Sequence, residues 1–239
     1  MLKYKNFILE KQQGGQDAGS MEIDRLSLSE AKRFFDKLLK RYQNMSVDQA
    51  IRNFGNNFKH AQSLARRGKT KRRDMPVIED YQVKQFQARL KNGNIDKHRP
   101  WAKETNPRNP FPEGLSGPKA EHFVKNGLFD GSVEDDVIRV RNVYTPVKQL
   151  IPIQRQIYFD KCAENSSKFG IAASKRFLQG SLMIQSEDHH ILDGHHRWLS
   201  AMLIDPNMSL PGIQIMLPLN KLLPLGKAYG DAMGNRRNA

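Results

Sequence analysis

The chain predicts an α+β fold, with a C-terminal domain of mixed helices and strands behind a helical, basic N-terminal region. Three observations predict it. Apolar residues recur at helical spacing through the N-terminal part. Short β-like runs gather in the C-terminal half. Within that half, Ile191-Leu192-Asp193-Gly194-His195-His196-Arg197 reads as a strand end, a tight Asp-Gly turn and the start of a helix.

Residues 1–25 open with an apolar patch (Leu2, Tyr4, Phe7, Ile8, Leu9) and continue as a polar Gly/Gln-rich stretch, Lys11 to Ser20. That composition predicts a flexible segment. The patch is either a frayed terminus or a docking peptide. Residues 26–93 form the helical basic region. From Ser29, the residues Ala31, Phe34, Phe35, Leu38, Leu39 and Tyr42 line one helix face. Ser46 with Gln49 three residues on is a capping-box signature opening a second helix. Its apolar face is Val47, Ala50, Ile51, Phe54, Phe58 and Ala61, and these phenylalanines predict a helical-hairpin core. Arg66-Arg67-Gly68-Lys69-Thr70-Lys71-Arg72-Arg73 then places six cations in eight residues. Gly68 suits a helix end, which leaves most of the run as an exposed loop. Tyr81, Val83, Phe86 and Leu90 mark a third helix closed by Gly93.

Residues 94–136 read as a connector with Pro100, Pro107, Pro110 and Pro112. Its Trp101 and Phe111 are expected to pack across the next domain. Pro118 suits the first position of a short helix ending at Gly127. The cluster Asp130, Glu134, Asp135 and Asp136 reads as a solvated turn, the alternative being oxygen ligands for a divalent metal. The mixed domain spans 137–225. It opens with a strand at Val137–Val143, and residues 160–180 look helical. Leu182–Gln185 and His190–Leu192 form a hairpin around Ser186-Glu187-Asp188. In the helix after the turn, Trp198, Leu199, Ala201, Met202 and Leu203 supply the buried stripe, and Pro206 closes it. Ile213–Leu217 is another β-like run, Leu219–Leu225 an apolar closing segment, and 226–239 a basic tail.

The turn carries the chemistry. Asp193, His195, His196 and Arg197 surround a helix N-terminus, whose free N–H groups and dipole favour an anion. Arg197 offers a planar fork for phosphate oxygens, and the imidazoles move protons near neutral pH. Asp193 is expected to cap the helix and orient a histidine with its second oxygen. Gly194 lets backbone approach phosphate closely. His195 or His196 would donate to a phosphate oxygen or act as general acid/base, while Arg197 neutralises developing charge. The plainer alternatives are an N-cap for Asp193 and a salt bridge for Arg197.

The strand–DGHHR–helix pattern, with Ala201 four positions after Arg197, resembles the ParB/sulfiredoxin superfamily. It is particularly similar to the free-serine kinase members and to ParB-like proteins of phages. Val147–Arg155 is similar to that family's opening strand and Pro-containing turn, so the resemblance covers roughly 137–225. It implies a ParB/sulfiredoxin-like domain with a nucleotide pocket lined by Gly194, Arg197, Pro152, Gln154 and Arg155. It also implies a nucleotide (ATP, ADP or CTP) with Mg²⁺, and phosphotransferase or phosphohydrolase activity, kinase-like or nuclease-like. Two departures narrow this. Where kinase members carry an acidic residue near the Pro turn, this chain has Gln154, Arg155 and Gln156, its first carboxylate being Asp160; glutamine cannot act as a base. Sulfiredoxin chemistry needs a cysteine before the arginine, yet the only cysteine is Cys162. No recognisable helix-turn-helix follows Arg197, which counts against a ParB-type partition protein.

The formal net charge of +14 favours an anionic partner: nucleic acid, nucleotide or an acidic protein surface. Arg66, Arg67, Lys69, Lys71, Arg72 and Arg73 are the candidate nucleic-acid contacts, the alternative being a solvated linker. No aromatic interleaves them, so they lack stacking specificity. A single cysteine excludes an internal disulfide and fits a reducing compartment. No apolar run has the length of a membrane span, and no signal-peptide core opens the chain. The expected location is the cytoplasm, or a virion if the chain is of phage origin. Four of the seven histidines lie between His189 and His196. On a strand His189 and His190 alternate faces, so at most one points to the turn and no metal site is assigned. Two function classes result: an enzyme acting on nucleotide or nucleic-acid phosphates, or a non-catalytic DNA-binding or phage assembly module on the same fold.

Overall fold

A computed structural model describes residues 21–43, 47–93, 95, 137–233 and 235. The opening patch, Ser46, the Pro-rich stretch with its expected short helix and its acidic cluster, and residues 236–239 lie outside the described residues.

Helix α1 (Leu28–Tyr42) starts at Ser27. The Ser27 hydroxyl accepts the Glu30 N–H at 3.2 Å, and the Glu30 carboxylate accepts the Ser27 N–H at 3.0 Å. This reciprocal pairing satisfies two donors that a helix start otherwise leaves open. Helix α2 (Val47–Ala65) turns Phe54, Phe58 and Ala61 inward. Phe35 stacks on Phe54 at 4.5 Å, so the predicted hairpin core forms. Its phenylalanines also meet Phe159, which opens α4 (Phe159–Phe169), at 5.7 and 5.6 Å. Residues from the helical region and from the C-terminal half therefore share one hydrophobic cluster. Helix α3 (Val83–Lys91) buries Val83, Phe86 and Leu90.

The five-stranded sheet consists of β1 (Val140–Pro146), β2 (Ile151–Pro152), β3 (Met183–Ser186), β4 (His190–Asp193) and β5 (Ser209–Ile215), in the order β1-β5-β3-β4-β2. The β1–β5 and β3–β4 pairs are antiparallel; β3–β5 and β2–β4 are parallel. The chain is thus α+β with a mixed sheet. One face packs on α1, α2, α4 and α6 (His195–Ile204), with α5 (Ile171–Gln179) alongside. The other packs on α3 and α7 (Leu219–Ala232).

Three boundaries differ from expectation. β1 begins at Val140, because Ile138 donates its N–H to Leu90 O at 2.9 Å and Val137 stays 49 % exposed. β5 starts at Ser209, before Pro211 and Gly212, two residue types that weaken a strand signal. The segment from 226, expected as tail, is helical to Ala232, since Ala228 and Tyr229 are buried in the second core.

Candidate functional site

β4 carries one residue more than β3: Ile184 faces Asp193 while Gln185 faces Ile191. The intervening Leu192 bulges into the second core, and such a bulge re-aims the residues that follow. Gly194 comes next, with φ 108° and ψ 19°, and occupies the N-cap position of α6. This positive φ favours glycine, and a Cβ would also be crowded, lying 3.0 Å from Met183 Cε and 3.2 Å from Arg197 Nε.

Because Gly194 takes the cap position, Asp193 lies one residue too early to cap. No side chain caps α6. The Asp193 carboxylate instead accepts the Arg197 Nη2–H at 2.5 Å, one turn along. The Arg197 Nη1–H donates to Asp80 Oδ1 at 3.1 Å. The Arg197 side chain is 15 % exposed, while that of Asp80 is 58 % exposed. Sequence reasoning missed Asp80, which enters from the turn before α3. The only hint was an acidic residue at the start of a helix.

The two histidines accept backbone N–H groups, His195 from the Pro turn and His196 from the start of α4. His195 is buried, and its Nε2 accepts the N–H groups of both Ile153 and Gln154 at 3.2 Å. A nitrogen that accepts carries no proton, so the proton is on Nδ1. Burial, then the nearby Arg197 guanidinium, pulls the His195 pKa down to about 3. At neutral pH this ring is uncharged and its basic nitrogen is occupied. It is therefore a backbone acceptor and does not meet the requirements for general acid/base work. His196 Nε2 accepts the Tyr158 N–H at 3.2 Å, and its ring lies 5.8 Å from that of Tyr158.

The Pro turn is thus bracketed from beneath. Pro152 is buried in β2 opposite Ile191. Gln154, also buried, donates its amide to Gln156 O at 2.7 Å. Arg155 alone among these points outward.

On its other edge the Pro turn meets the basic run. Thr70 pairs in parallel with Gln154. The Thr70 N–H donates to Ile153 O at 2.9 Å, and the Arg155 N–H donates to Thr70 O at 2.8 Å. The Arg72 N–H donates to Gln156 Oε1 at 2.8 Å. Gly68 makes the approach possible, since a Cβ there would stand 2.6 Å from Gln154 O. Arg67, Lys69, Lys71 and Arg73 are exposed. Arg66 is exposed but donates Nε–H to Asp24 O at 3.0 Å. Arg72 is half-buried with its guanidinium carbon 5.0 Å from the Tyr158 ring, which Lys161 also approaches at 5.3 Å. The structure therefore brings together two residue groups that the sequence assigns to separate regions. Tyr158 and Gln156 join them; their nearness to the Pro turn was the available signal.

The remaining histidines of the cluster sit at the far end of β4. His190 Nδ1 lies 3.0 Å from Asp188 Oδ2, and the Ser186 hydroxyl donates to the same carboxylate. Among the described residues no group of three or more His, Cys, Asp or Glu converges as metal ligands. Burial pushes the Cys162 thiol up to about 12, which removes it as a nucleophile. No described helix is long and apolar enough to cross a membrane. No family model, no curated protein and no solved structure matches this chain.

Proposed function

We propose that this chain is a ParB-like module that binds nucleic acid through the Arg66–Arg73 loop, and that its DGHHR turn is a scaffold for that loop. One observation carries the reading: the polar groups that looked catalytic are committed internally. His195 accepts two backbone N–H groups of the Pro turn, His196 accepts that of Tyr158 at the start of α4, and Asp193 and Asp80 occupy Arg197. The exposed cations, by contrast, ride on a loop fixed to that same turn. Such a surface releases counterions from a phosphate backbone and binds in a salt-dependent way. A cytoplasmic or virion setting suits this reading.

A second reading keeps the enzyme. Helix α6 has no side-chain cap, and Asp80 is an exposed partner of Arg197. Exposed ion pairs are weak, at about 1 kcal/mol or less. A nucleotide phosphate (ATP, ADP or CTP, with Mg²⁺) could displace Asp80 and meet Arg197 at the helix start. One experiment separates the two. The protein is incubated with each nucleotide and with plasmid DNA in Mg²⁺, beside Arg197→Ala. DNA binding with no loss of nucleotide and no nicking supports the module. Turnover that disappears in Arg197→Ala refutes it and establishes the enzyme.

A further inference from the structure

Resting on the module reading, the geometry points to a more specific element: a short ladder, Gly68–Lys71 beside Ile153–Arg155, joined by the single parallel bridge Thr70–Gln154, that is pre-set to meet successive phosphates of one nucleic-acid strand. Lys69, Lys71 and Arg155 are its contacts, and Arg72 is a positioning residue.

The placement follows from the backbone. Thr70 and Gln154 are paired, so they share one side of the ladder; Gln154 is buried and Thr70 half-buried. Alternation about Thr70 sends Lys69 and Lys71 to the opposite side, and Arg155, at the bend after the bridge, is bonded through its N–H to Thr70 O. Lys69, Lys71 and Arg155 are all exposed. Residues two apart on an extended strand stand about 6.6 Å apart, and paired strands about 4.8 Å apart. Lys69 and Lys71 therefore repeat at about the separation of neighbouring phosphates on one strand, with Arg155 beside Lys71. The run itself contains no aromatic residue. The Tyr158 ring is already faced by Arg72 and Lys161. Contact with phosphate but not with base edges gives binding without sequence preference.

Arg72 differs from its neighbours. Its N–H is held by Gln156, and its guanidinium lies over Tyr158, whose own N–H is bonded to His196. It ties the far end of the ladder to α6. In the same way His195, holding the N–H groups of Ile153 and Gln154, sets the near end. The DGHHR histidines therefore determine where the cations stand without touching the ligand.

The test uses the full chain, a short fluorescent DNA duplex, the matching single strand and a salt series. Lys69→Ala, Lys71→Ala and Arg155→Ala should each reduce the salt slope on the duplex by about 0.9, the value for one phosphate contact. Lys40→Ala, an equal charge loss on α1 where Lys40 is paired with Asp36, should leave the slope unchanged. Two further variants keep every charge. Gly68→Ala forces the ladder apart, and Gln156→Ala frees its far end; each should weaken binding at least as much as loss of one contact lysine. Circular dichroism shows whether Gly68→Ala is folded, and Gln156→Ala supplies the same test should it not be. Slopes that fall equally in Lys40→Ala overturn the ladder and leave a diffuse charged surface. So does wild-type affinity in both charge-preserving variants, or polyglutamate competing as well as DNA. A wild-type chain that binds neither nucleic acid overturns the module reading itself.

Discussion

The His195 bracket makes the stability of this protein depend on pH in a way that can be calculated. In the fold the ring is neutral, with a pKa of about 3; in the unfolded chain an imidazole titrates near about 6.5. The folded value is the lower one. Above the unfolded value both states are neutral and the stabilisation is complete. As pH falls through about 6.5 the unfolded chain takes up a proton that the fold refuses, so stability declines towards about pH 3. By about pH 5 the unfolded state is favoured by about 2 kcal/mol from this residue alone, a factor of about 30 in the equilibrium. Urea melts from neutral pH down to about pH 5, for wild type and His195→Gln, measure it. Glutamine can still accept an N–H but takes up no proton. The other titrating groups are common to both chains, so the difference between the two profiles isolates His195. Wild type should lose about 2 kcal/mol more than the variant across that interval. Parallel profiles would show that His195 ionises freely in the fold, and the bracket would be refuted.

Gly194→Ala should destabilise by about 1–3 kcal/mol, from the positive φ and the contact with Met183, read as a lower denaturation midpoint. Trp198 is fully buried and its indole N–H donates to Val147 O at 3.2 Å. Trp198→Phe should cost about 1–3 kcal/mol through the lost bond and the space the smaller ring leaves in the core, although Val147 O keeps the Leu150 N–H, measured in the same melts; a neutral result would mean that neither contributes. Phe58→Ala should cost about 3–5 kcal/mol. Because Phe58 packs on Phe159, the helical region and the sheet domain should still unfold in one transition, and two separate transitions would contradict the shared core.

Periodicity made most of the fold legible. Phe35, Phe54 and Phe58 announce their buried faces by spacing alone, and the Ser186–Asp188 turn announces its hairpin. Less legible were elements whose residues contradict their local tendency. Pro211 and Gly212 hide the start of β5, and the apolar run after Leu219 gives no sign of continuing as helix through Pro224. Those elements exist because the sheet and the second core hold them, which is a tertiary effect overriding propensity. The long-range partners were invisible for the same reason. Asp80 reaches Arg197 across 117 positions, and Thr70 reaches Ile153 across a comparable gap. No local pattern encodes such pairs.

The site shows a different limit. Sequence indicates that a turn holds two imidazoles, a guanidinium and a carboxylate, but a residue type specifies capacity and not use. An imidazole nitrogen that could carry a proton in catalysis is equally able to accept a backbone N–H, and burial decides between the two. At His195 burial removes the charged form, and two backbone donors that would otherwise lie buried without partners fix the neutral one. Arg197 obeys the same logic: a guanidinium at a helix start attracts whichever anion is nearest, and here two carboxylates of the chain itself arrive first. A bracket of this kind costs the turn its free groups, and Lys69, Lys71 and Arg155 are exposed on the segments that meet beside it. On the proposed reading, the motif acts through the loop it holds.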